Sequence, residues 1–415
     1  MIPDDAKKVL CAMSGGVDSS VAASLLASSG HEVTGMTMLL FGHSVIGEEL
    51  ESACCSLDDV EDAKQVCRRL GIPHYTFNFK GRFKEDVIDR FCDAYVHGRT
   101  PNPCIDCNRY LKFQALQRRR RELGMDYVAT GHYARRTFDE ESGRWQLRRG
   151  LDPDKDQSYV LYHLTQGDLE HMLFPLGSLS KEEVRAIADT EGFANAQKAE
   201  SQDICFVPDG DYASFIRMYV ESGGDVRRWE DGAARPDDPE GSLGDDRECM
   251  AQVDAATNPS VLRGSLDSAL RDSLHSAFHE GDIVDESGHR LGAHNGLIHY
   301  TIGQRKGIGV AAPNPLYVKR KDIEGNRLIV SGRARLLVDT VMLEDVNIIS
   351  GEPPVGITEV EVKLSYRQTP ASATFEMTSE DTATVRLHDP RVMPASGQSV
   401  VAYMGDVVLG GGIVA

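Results

Sequence analysis

The chain has no long hydrophobic run. Its first residues, MIPDDAKKVLCAMSGG, lack a basic stretch followed by an apolar one. No window approaches the roughly 18 apolar residues that a membrane-spanning helix requires. We therefore expect a soluble, cytoplasmic protein without a membrane partner. With 415 residues, of which 41% are hydrophobic, the chain is long enough to form two or three domains.

An excess of positive charge is also missing. The 45 Lys and Arg residues face 64 Asp and Glu residues, and the net charge of −19 taken alone argues against a nucleic-acid partner. The charge is uneven, however, because residues 221–290 contain 17 Asp or Glu against 7 Arg. Several basic clusters lie elsewhere: Arg118 to Arg121, Arg135 with Arg136, Arg148 with Arg149, Arg305 with Lys306, and Lys319 to Lys321. For any single cluster, a solvated surface is a better explanation than an RNA contact. Taken together, the basic clusters permit RNA binding.

The first 135 residues alternate short apolar runs with amphipathic stretches, which is typical of a parallel sheet with crossover helices. The predicted strands are Lys8 to Met13, His31 to Leu39, His74 to Phe79 and Tyr127 to Tyr133. The predicted helices are Ser19 to Ser29, a helix capped by Ser56 and ending at Leu70, Phe83 to Val96, Arg109 to Leu123, and one from Ser180 to Gly192. Such a sheet binds ligands beyond the carboxyl ends of its strands.

The pattern changes in the second half of the chain. Residues 222–270 are polar and acidic, which predicts an insertion. Beyond residue 280, short alternating segments separated by Gly and Pro predict antiparallel strands, at Leu316 to Val318, Arg327 to Ser331, Glu359 to Leu364, Ala383 to Leu387 and Ser399 to Met404. We predict an α/β Rossmann-like domain over 1–218, a small central domain over 219–335 and an antiparallel, β-barrel-like domain over 336–415.

The segment SGGVDSS at 14–20 follows the first predicted strand and opens the first helix. Free backbone N–H groups and the helix dipole favour an anion there, and paired glycines let the backbone approach it closely. Asp18 can orient the loop or help to hold Mg²⁺. Because no Gly-Lys-Ser/Thr sequence is present, the loop is not the kind that serves transfer of the terminal phosphate. Its spacing resembles the loop of ATP pyrophosphatases, which adenylate an oxygen; the alternative is an ordinary Gly-rich turn.

The nine cysteines are an odd number without a secretion signal, which indicates reduced thiols. Cys107 falls near the start of a predicted helix, where the dipole favours the thiolate form of a nucleophile. Together Cys104 and Cys107 also fit half of a zinc site or a redox pair. Cys205 lies between Ile204 and Phe206 on a predicted short strand, and taken alone it fits a buried core residue.

Eight motifs occur in order over nearly the whole chain. They are SGGVDSS at 14–20, RTPNPCIDCN at 99–108, ATGHY at 129–133, KDQSY at 155–159, SQDICFV at 201–207, YTIGQRKG at 300–307, SYRQ at 365–368 and GQSVVAY at 397–403. This combination resembles the tRNA-specific 2-thiouridylases, sulfurtransferases of the PP-loop ATP pyrophosphatase superfamily. The acidic stretch at 222–270 does not resemble that family.

The resemblance implies ATP-dependent 2-thiolation of the wobble uridine of tRNA, with ATP and Mg²⁺ as cofactors. It implies that Cys205 carries a persulfide supplied by an upstream sulfur-relay protein or cysteine desulfurase. Cys107 is then the nucleophile that releases the thiolated base through a Cys107–Cys205 disulfide. The ATP-binding residues implied are Ala12, Met13, Ser14, Gly15, Gly16, Val17, Asp18, Ser19, Met38 and Gly131.

The residues that the resemblance assigns to the target base and the tRNA are Asn102, Pro103, Cys104, His132, Lys155, Asp156, Gln157, Ser365, Tyr366 and Gln398. Many relatives carry an aspartate where Cys104 stands, so the acid/base role of that carboxylate does not transfer. No resident metal site is expected, and we expect a monomer. The rival functions are another PP-loop amidotransferase or synthetase, and a zinc-stabilised or RNA-binding scaffold without enzymatic activity.

Overall fold

The computed structural model describes residues 5–40, 57–198, 204–207, 210–224, 226 and 268–415. Its N-terminal part is built on a five-stranded sheet in the order β3-β2-β1-β4-β7, and every neighbouring pair is parallel. The strands are β1 (Lys8–Ala12), β2 (Glu32–Leu39), β3 (His74–Asn78), β4 (Tyr127–Ala129) and β7 (Met172–Leu173). The predicted parallel α/β architecture is confirmed.

The α-helices of the described ranges lie between the strands of this sheet or follow its last strand. They are α1 (Val17–Ser28), α2 (Leu57–Leu70), α3 (Lys80–Phe83), α4 (Arg90–Val96), α5 (Pro103–Asp106), α6 (Gln114–Glu122), α7 (Gln166–Glu170), α8 (Lys181–Thr190), α9 (Tyr212–Glu221) and α10 (Ser268–Phe278). Two π-helical segments, Lys84–Asp89 and Cys107–Phe113, join α3 to α4 and α5 to α6. The capping box of Ser180 and Glu183 starts α8 as predicted, because each residue's side chain accepts from the other's backbone N–H.

Five sequence predictions need correction or lie outside the described residues. The helix predicted from Arg109 begins at Pro103, because Asn102 caps it. The strand predicted to reach Tyr133 ends at Ala129, where the chain turns towards the start of α1. Residues 204–207, predicted as a strand, form a turn. The predicted cap at Ser56 and most of the acidic stretch at 222–270 lie outside the described residues; one helix, 212–221, ends just before that stretch, and another, 268–278, begins at its end.

A second sheet follows α10. Its order is β10-β11-β8-β9, with β8 (Gly281–Val284), β9 (Arg290–His294), β10 (Tyr317–Asp322) and β11 (Arg327–Ser331). A separate apolar core, which includes Ile283, Val318 and Leu328, lies under this sheet. This small unit follows the described helix α10 and precedes the C-terminal strands.

The C-terminal strands close into a six-stranded antiparallel barrel. They are β12 (Leu337–Ile348), β13 (Thr358–Lys363), β14 (Ala371–Met377), β15 (Ala383–Val392), β16 (Ser399–Met404) and β17 (Val407–Val414), and pairing of β12 with β17 closes the ring. Alternate residues such as Val341, Val360 and Phe375 are buried inside it. Because closure leaves no unpaired edge, the barrel is a rigid support.

A hairpin joins the N-terminal part to the barrel. It consists of β5 (Ala134–Asp139) and β6 (Arg144–Arg149), and Arg148 of β6 pairs with Val407 of β17. Asp406 accepts hydrogen bonds from Arg135 at 2.6 Å and from Arg148 at 2.8 Å. Three arginines for which the sequence allowed either solvent exposure or RNA binding, Arg135, Arg148 and Arg149, therefore contact the barrel. No helix in the described ranges is long and apolar enough to span a membrane.

Candidate active site

The loop between β1 and α1 has a backbone shape that only glycine permits. Gly15 has φ +75°, and a Cβ there would lie 2.4 Å from the carbonyl oxygen of Asp59. Ser14 N donates to Ser19 Oγ at 3.2 Å, and Ser19 Oγ donates to the carbonyl oxygen of Gly16 at 3.0 Å. The serine side chains therefore hold the loop in place at the start of α1, where backbone N–H groups favour an anion.

Asp18, in the first turn of α1, is held by two partners from distant parts of the chain. Lys181 Nζ lies 2.8 and 2.9 Å from its two carboxylate oxygens, and Tyr133 donates to it at 2.7 Å. The sequence pattern around Ser180 had indicated only a helix start, so the role of Lys181 was missed. Its charge offsets that of Asp18, and it brings an ammonium group to the anion-binding end of α1.

Asn195 is a second residue that the sequence did not indicate. Its buried side-chain amide donates to the carbonyl oxygen of Gly15 at 2.8 Å and to Ser20 Oγ at 3.0 Å. Its Oδ1 is buried and has no hydrogen-bond partner among the described residues. A buried acceptor of this kind needs a donor, so the loop is shaped for a further polar group.

The other residues predicted to bind ATP lie along the same edge of the sheet. Ala12 and Met38 end or nearly end β1 and β2, and Met38 is buried. Gly131 follows β4, and a Cβ there would lie 2.8 Å from Ser19 N. The structure therefore brings these residues together at the carboxyl ends of parallel strands, which is where α/β sheets bind ligands.

Cys107 and Cys205 belong to one hydrophobic cluster although they are far apart in the chain. Cys107 begins the π-helical segment after α5 and is 7% exposed, whereas Cys205 lies in the 204–207 turn and is partly buried. Phe206 anchors that turn, because its ring meets Phe91 at 5.1 Å and Phe83 at 5.8 Å edge to face. Both cysteines are thiols, and no disulfide joins them in the part of the chain that the structure describes.

The barrel holds the loop and helix that carry Cys107. Gln398 Nε2 donates to the carbonyl oxygen of Thr100 at 2.7 Å, and Thr100 N donates to the carbonyl oxygen of Ser396 at 2.8 Å. Arg109 forms a two-pronged ion pair with Asp345 of β12, one contact of which measures 2.9 Å. A cavity of about 270 Å³ lies between the π-helical segment and β12. The helix that carries Cys107 is therefore fixed to the barrel at both ends of the Thr100–Arg109 segment.

Comparison with known proteins extends these observations to the whole chain. Residues 7–209 match the family model described as tRNA methyl transferase HUP domain, 268–332 match the tRNA methyl transferase PRC-barrel domain, and 338–414 match the aminomethyltransferase beta-barrel domain. The tRNA-specific 2-thiouridylase MnmA of Clostridioides difficile (strain 630) is 38% identical over 98% of both chains. That of Carboxydothermus hydrogenoformans is 40% identical over 98% of this chain and 97% of the relative.

The chain belongs to the tRNA-specific 2-thiouridylase family. The family resemblance and the enzyme class predicted from the motifs, a tRNA sulfurtransferase, are confirmed. The methyl transferase wording belongs to the domain models, whereas the full-length relatives carry the thiouridylase name.

Among the residues assigned to tRNA in this 2-thiouridylase, two hold the local fold. Asp156 Oδ1 accepts from the backbone N–H groups of Gly150 at 3.1 Å and Ser158 at 3.0 Å, and its side chain is buried. Gln157 Oε1 accepts from Tyr133 N at 3.0 Å. These bonds stabilise the turn that presents the neighbouring, partly exposed Lys155.

The remaining assigned residues differ in exposure. His132 shares a hydrogen bond of 2.8 Å with Thr130 Oγ1, and burial, followed by the nearby Lys112, lowers its pKa to about 3. It is therefore neutral at physiological pH.

Tyr366 on the barrel is exposed, and Ser365 is partly buried beside it. Asn102 accepts a hydrogen bond from Cys104 N at 3.2 Å, Pro103 is buried and Cys104 is exposed.

In the described ranges no group of three or more His, Cys, Asp or Glu side chains is arranged to hold a metal ion.

Proposed function

We propose that this enzyme 2-thiolates the wobble uridine of tRNA at the expense of ATP, which is cleaved to AMP and pyrophosphate. The observation that carries the proposal is family membership over nearly the full length of the chain. Two structural features support it: a glycine-dependent anion loop at the start of α1, and the common cluster of Cys107 and Cys205.

The first step belongs to the loop. Ala12 to Ser19, with Met38 and Gly131, bind ATP so that its α-phosphorus faces the uracil. The O2 atom of the base attacks that phosphorus, an O–P bond forms, and pyrophosphate leaves. Mg²⁺, when bound, offsets phosphate charge, and Asp18 is the residue that would hold it. Lys181, at 2.8 Å from Asp18, is placed to keep that carboxylate oriented and to attract the phosphates.

The second step belongs to the two cysteines. The terminal sulfur of a Cys205 persulfide attacks C2 of the base, and AMP leaves with the former O2. The base is then joined to Cys205 through a disulfide. Cys107 thiolate attacks Sγ of Cys205, the bond from Sγ to the base sulfur breaks, and the base leaves as 2-thiouridine. A Cys107–Cys205 disulfide is left, and electrons balance because the persulfide supplied an oxidised sulfur atom.

The tRNA and a sulfur-relay protein are the proposed partners. The segment Asn102 to Cys104 receives the flipped base, since ring atoms are reached only when a base leaves its stack. Gln398 contacts the tRNA or positions this segment through Thr100, to which it already donates at 2.7 Å. Lys155, Ser365 and Tyr366 supply further contacts. We propose a monomer with domain boundaries near residues 218 and 335.

The decisive experiment incubates the purified chain with unmodified tRNA, ATP and a cysteine desulfurase that supplies persulfide. Nucleoside mass spectrometry then measures 2-thiouridine, and a parallel assay measures AMP. We expect Cys107→Ser and Cys205→Ser each to lower the 2-thiouridine rate by more than about 100-fold, as loss of a nucleophile does. Cys92→Ala is the matched control, because burial raises the pKa of that thiol well above its ordinary value. Full thiolation by both serine variants, or formation of ADP in place of AMP, contradicts the proposal.

A further inference from the structure

Cys104 and Cys107 lie one turn apart on a single helix, and their exposures are opposite. Cys104 is the second residue of α5, which Asn102 caps and Pro103 opens, and its side chain is exposed. Cys107 is three residues further along and is 7% exposed. The reaction proposed above uses the thiols of Cys107 and Cys205; the segment with Cys104 receives the base, but the thiol of Cys104 takes part in no sulfur-transfer step.

The helix brings these two sulfur atoms within reach of each other. Residues i and i+3 of a helix share one face, with Cβ atoms about 5 to 6 Å apart. A disulfide needs Cβ atoms about 3.5 to 4.5 Å apart and Cα atoms below about 7 Å, so a small local adjustment suffices. Cys107 has helical φ −59° and ψ −43°, so the helical backbone continues from Cys104 through Cys107 without a break. A Cys104–Cys107 bond therefore requires no domain movement.

We propose that Cys104 is a resolving thiol that restores Cys205 after each turnover. The proposal rests on the proposed function, which leaves a Cys107–Cys205 disulfide. Cys104 thiolate attacks Sγ of Cys107, a Cys104–Cys107 disulfide forms, and Cys205 leaves as a thiolate that takes a proton from solvent. One disulfide replaces another, so this step needs no oxidant or reductant. Cys205 is then ready for the next persulfide.

The exposure of Cys104 determines how the helix disulfide is reduced. An external dithiol protein attacks Sγ of Cys104, which is exposed, and Cys107 leaves as the buried thiol. The second thiol of the reductant then releases Cys104, and the reductant ends as a disulfide. Without Cys104, the reductant must reach a disulfide between one buried and one partly buried cysteine. A large protein reductant is hindered there more than a small molecule is.

The first test maps the disulfides of the wild-type enzyme. A single turnover is run with persulfide-loaded enzyme, tRNA and ATP, without reductant, and is then quenched with acid and an alkylating reagent. Peptide mass spectrometry is expected to find the Cys104–Cys107 disulfide and alkylated Cys205 in most molecules. In Cys104→Ser the Cys107–Cys205 disulfide is expected instead. Wild-type enzyme that accumulates only the Cys107–Cys205 disulfide overturns the proposal.

The second test compares turnover with two reductants. For Cys104→Ser and Cys104→Asp, the steady-state rate is divided by the variant's own single-turnover rate, which cancels any effect of Cys104 on the base. With a thioredoxin-type protein as reductant, we expect this ratio to fall by about tenfold or more, and dithiothreitol at high concentration to restore it. An unchanged ratio in both variants overturns the proposal. Failure of the proposed function has a different signature, since no 2-thiouridine then forms even in the single turnover.

Discussion

Burial separates the described cysteines into two groups. Burial raises the pKa of Cys11 and of Cys67 to about 12, and it raises that of Cys92 as well. Such thiols stay protonated near neutral pH and act as small apolar residues. Among the described cysteines this leaves Cys104, Cys107 and Cys205 as candidates for the proposed sulfur chemistry; Cys104 is exposed, and the other two belong to one hydrophobic cluster.

Lys181 forms an ion pair with Asp18 at the proposed nucleotide loop. Lys181→Met leaves Asp18 without its ion pair, so phosphate groups meet an uncompensated carboxylate. We expect the KM for ATP in the AMP-forming assay to rise by about tenfold or more, the value of one charge-assisted contact. Lys181→Arg keeps the charge and should recover part of the loss. An unchanged KM in Lys181→Met shows that this lysine has no electrostatic role at the loop.

His132 and His163 predict how stability depends on pH. Burial lowers the pKa of both, that of His132 to about 3 and that of His163 well below its ordinary value, with Lys112 and Arg109 as the further causes. Both are thus neutral when folded and protonate near pH 6.5 when unfolded. Since the unfolded state binds more protons, the stabilisation is present above about pH 6.5 and is lost as pH falls towards 3.

The measurement is the free energy of unfolding in urea at pH 7, 6 and 5. We expect it to decrease as the pH is lowered, and to decrease less steeply in His163→Gln, which removes one titrating group. The same pH slope in wild type and His163→Gln would refute the assignment of His163 as a buried neutral residue.

At the scale of secondary-structure elements, an ion pair between Arg109 and Asp345 connects the helix that carries Cys107 to β12. Arg109 and Asp345 are both largely buried, with side chains 24% and 14% exposed. Asp345 has φ +49°, which asparagine also tolerates, so Asp345→Asn removes the charge without adding backbone strain. It leaves the arginine with an uncompensated charge.

We expect Asp345→Asn to lower the free energy of unfolding by about 3 kcal/mol, as for other broken buried pairs. The double variant Arg109→Met with Asp345→Asn should lose less than the sum of the two single losses, because no charge is then left uncompensated. Urea unfolding measures all four proteins. Strict additivity would show that the pair contributes no coupling energy between helix and barrel.

The contact between β10 and α4 contains a buried amine. Lys321 is 8% exposed, burial lowers its pKa to about 8, and its Nζ has no hydrogen-bond partner among the described residues. Within the described ranges, the ring of Tyr95, with its centroid 5.8 Å from Nζ, is the group that offsets the charge. At pH 7 the amine is charged in both the folded and the unfolded state, so its burial destabilises the fold.

Lys321→Met is therefore expected to raise the free energy of unfolding by about 2 kcal/mol at pH 7. The gain should shrink as pH rises through 8 towards 10.5, since the wild-type lysine then loses its proton in the folded state first. Urea unfolding of the wild type and Lys321→Met at pH 7 and pH 10 measures the gain in stability and its decrease with pH. A loss of stability at pH 7 would show that the amine has a partner more favourable than the apolar side chain.

At the scale of the whole molecule, an enzyme of net charge −19 must bind a polyanion through local contacts. Tight binding then depends on a few cations, and it weakens as salt rises because counterions are released. Lys155 and the exposed Tyr366 represent two kinds of proposed contact, one charged and one aromatic.

We expect Lys155→Ala to weaken tRNA binding and to reduce the slope of log K against log salt by about one. Tyr366→Ala should weaken binding with an unchanged slope, because stacking releases no counterion. Filter binding or fluorescence anisotropy between 50 and 200 mM salt measures both slopes. Equal slopes in Lys155→Ala and wild type would show that Lys155 does not contact a phosphate group.

Much of the fold followed from local patterns. The parallel sheet, the strand Arg327–Ser331 of the second sheet, the barrel strand Ser399–Met404 and the capping box at Ser180 were predicted because each depends on neighbouring residues along the chain. The loop at 14–20 was predicted for the same reason. The predictions were wrong where a contact with a distant residue outweighs local propensity. The backbone of Tyr133 pairs with Gln157, and Phe206 anchors the turn that contains Cys205.

The amino-acid sequence by itself determined the family, the nucleotide loop and the two thiols proposed for catalysis, because motifs and short-range periodicity are written in consecutive residues. Only the tertiary structure decided that Lys181 pairs with Asp18, that Arg109 pairs with Asp345, and that Gln398 bonds to Thr100. It also decided that Cys104 is exposed while Cys107 is buried. These contacts join residues far apart in the chain or depend on what packs over them, and no local pattern encodes either.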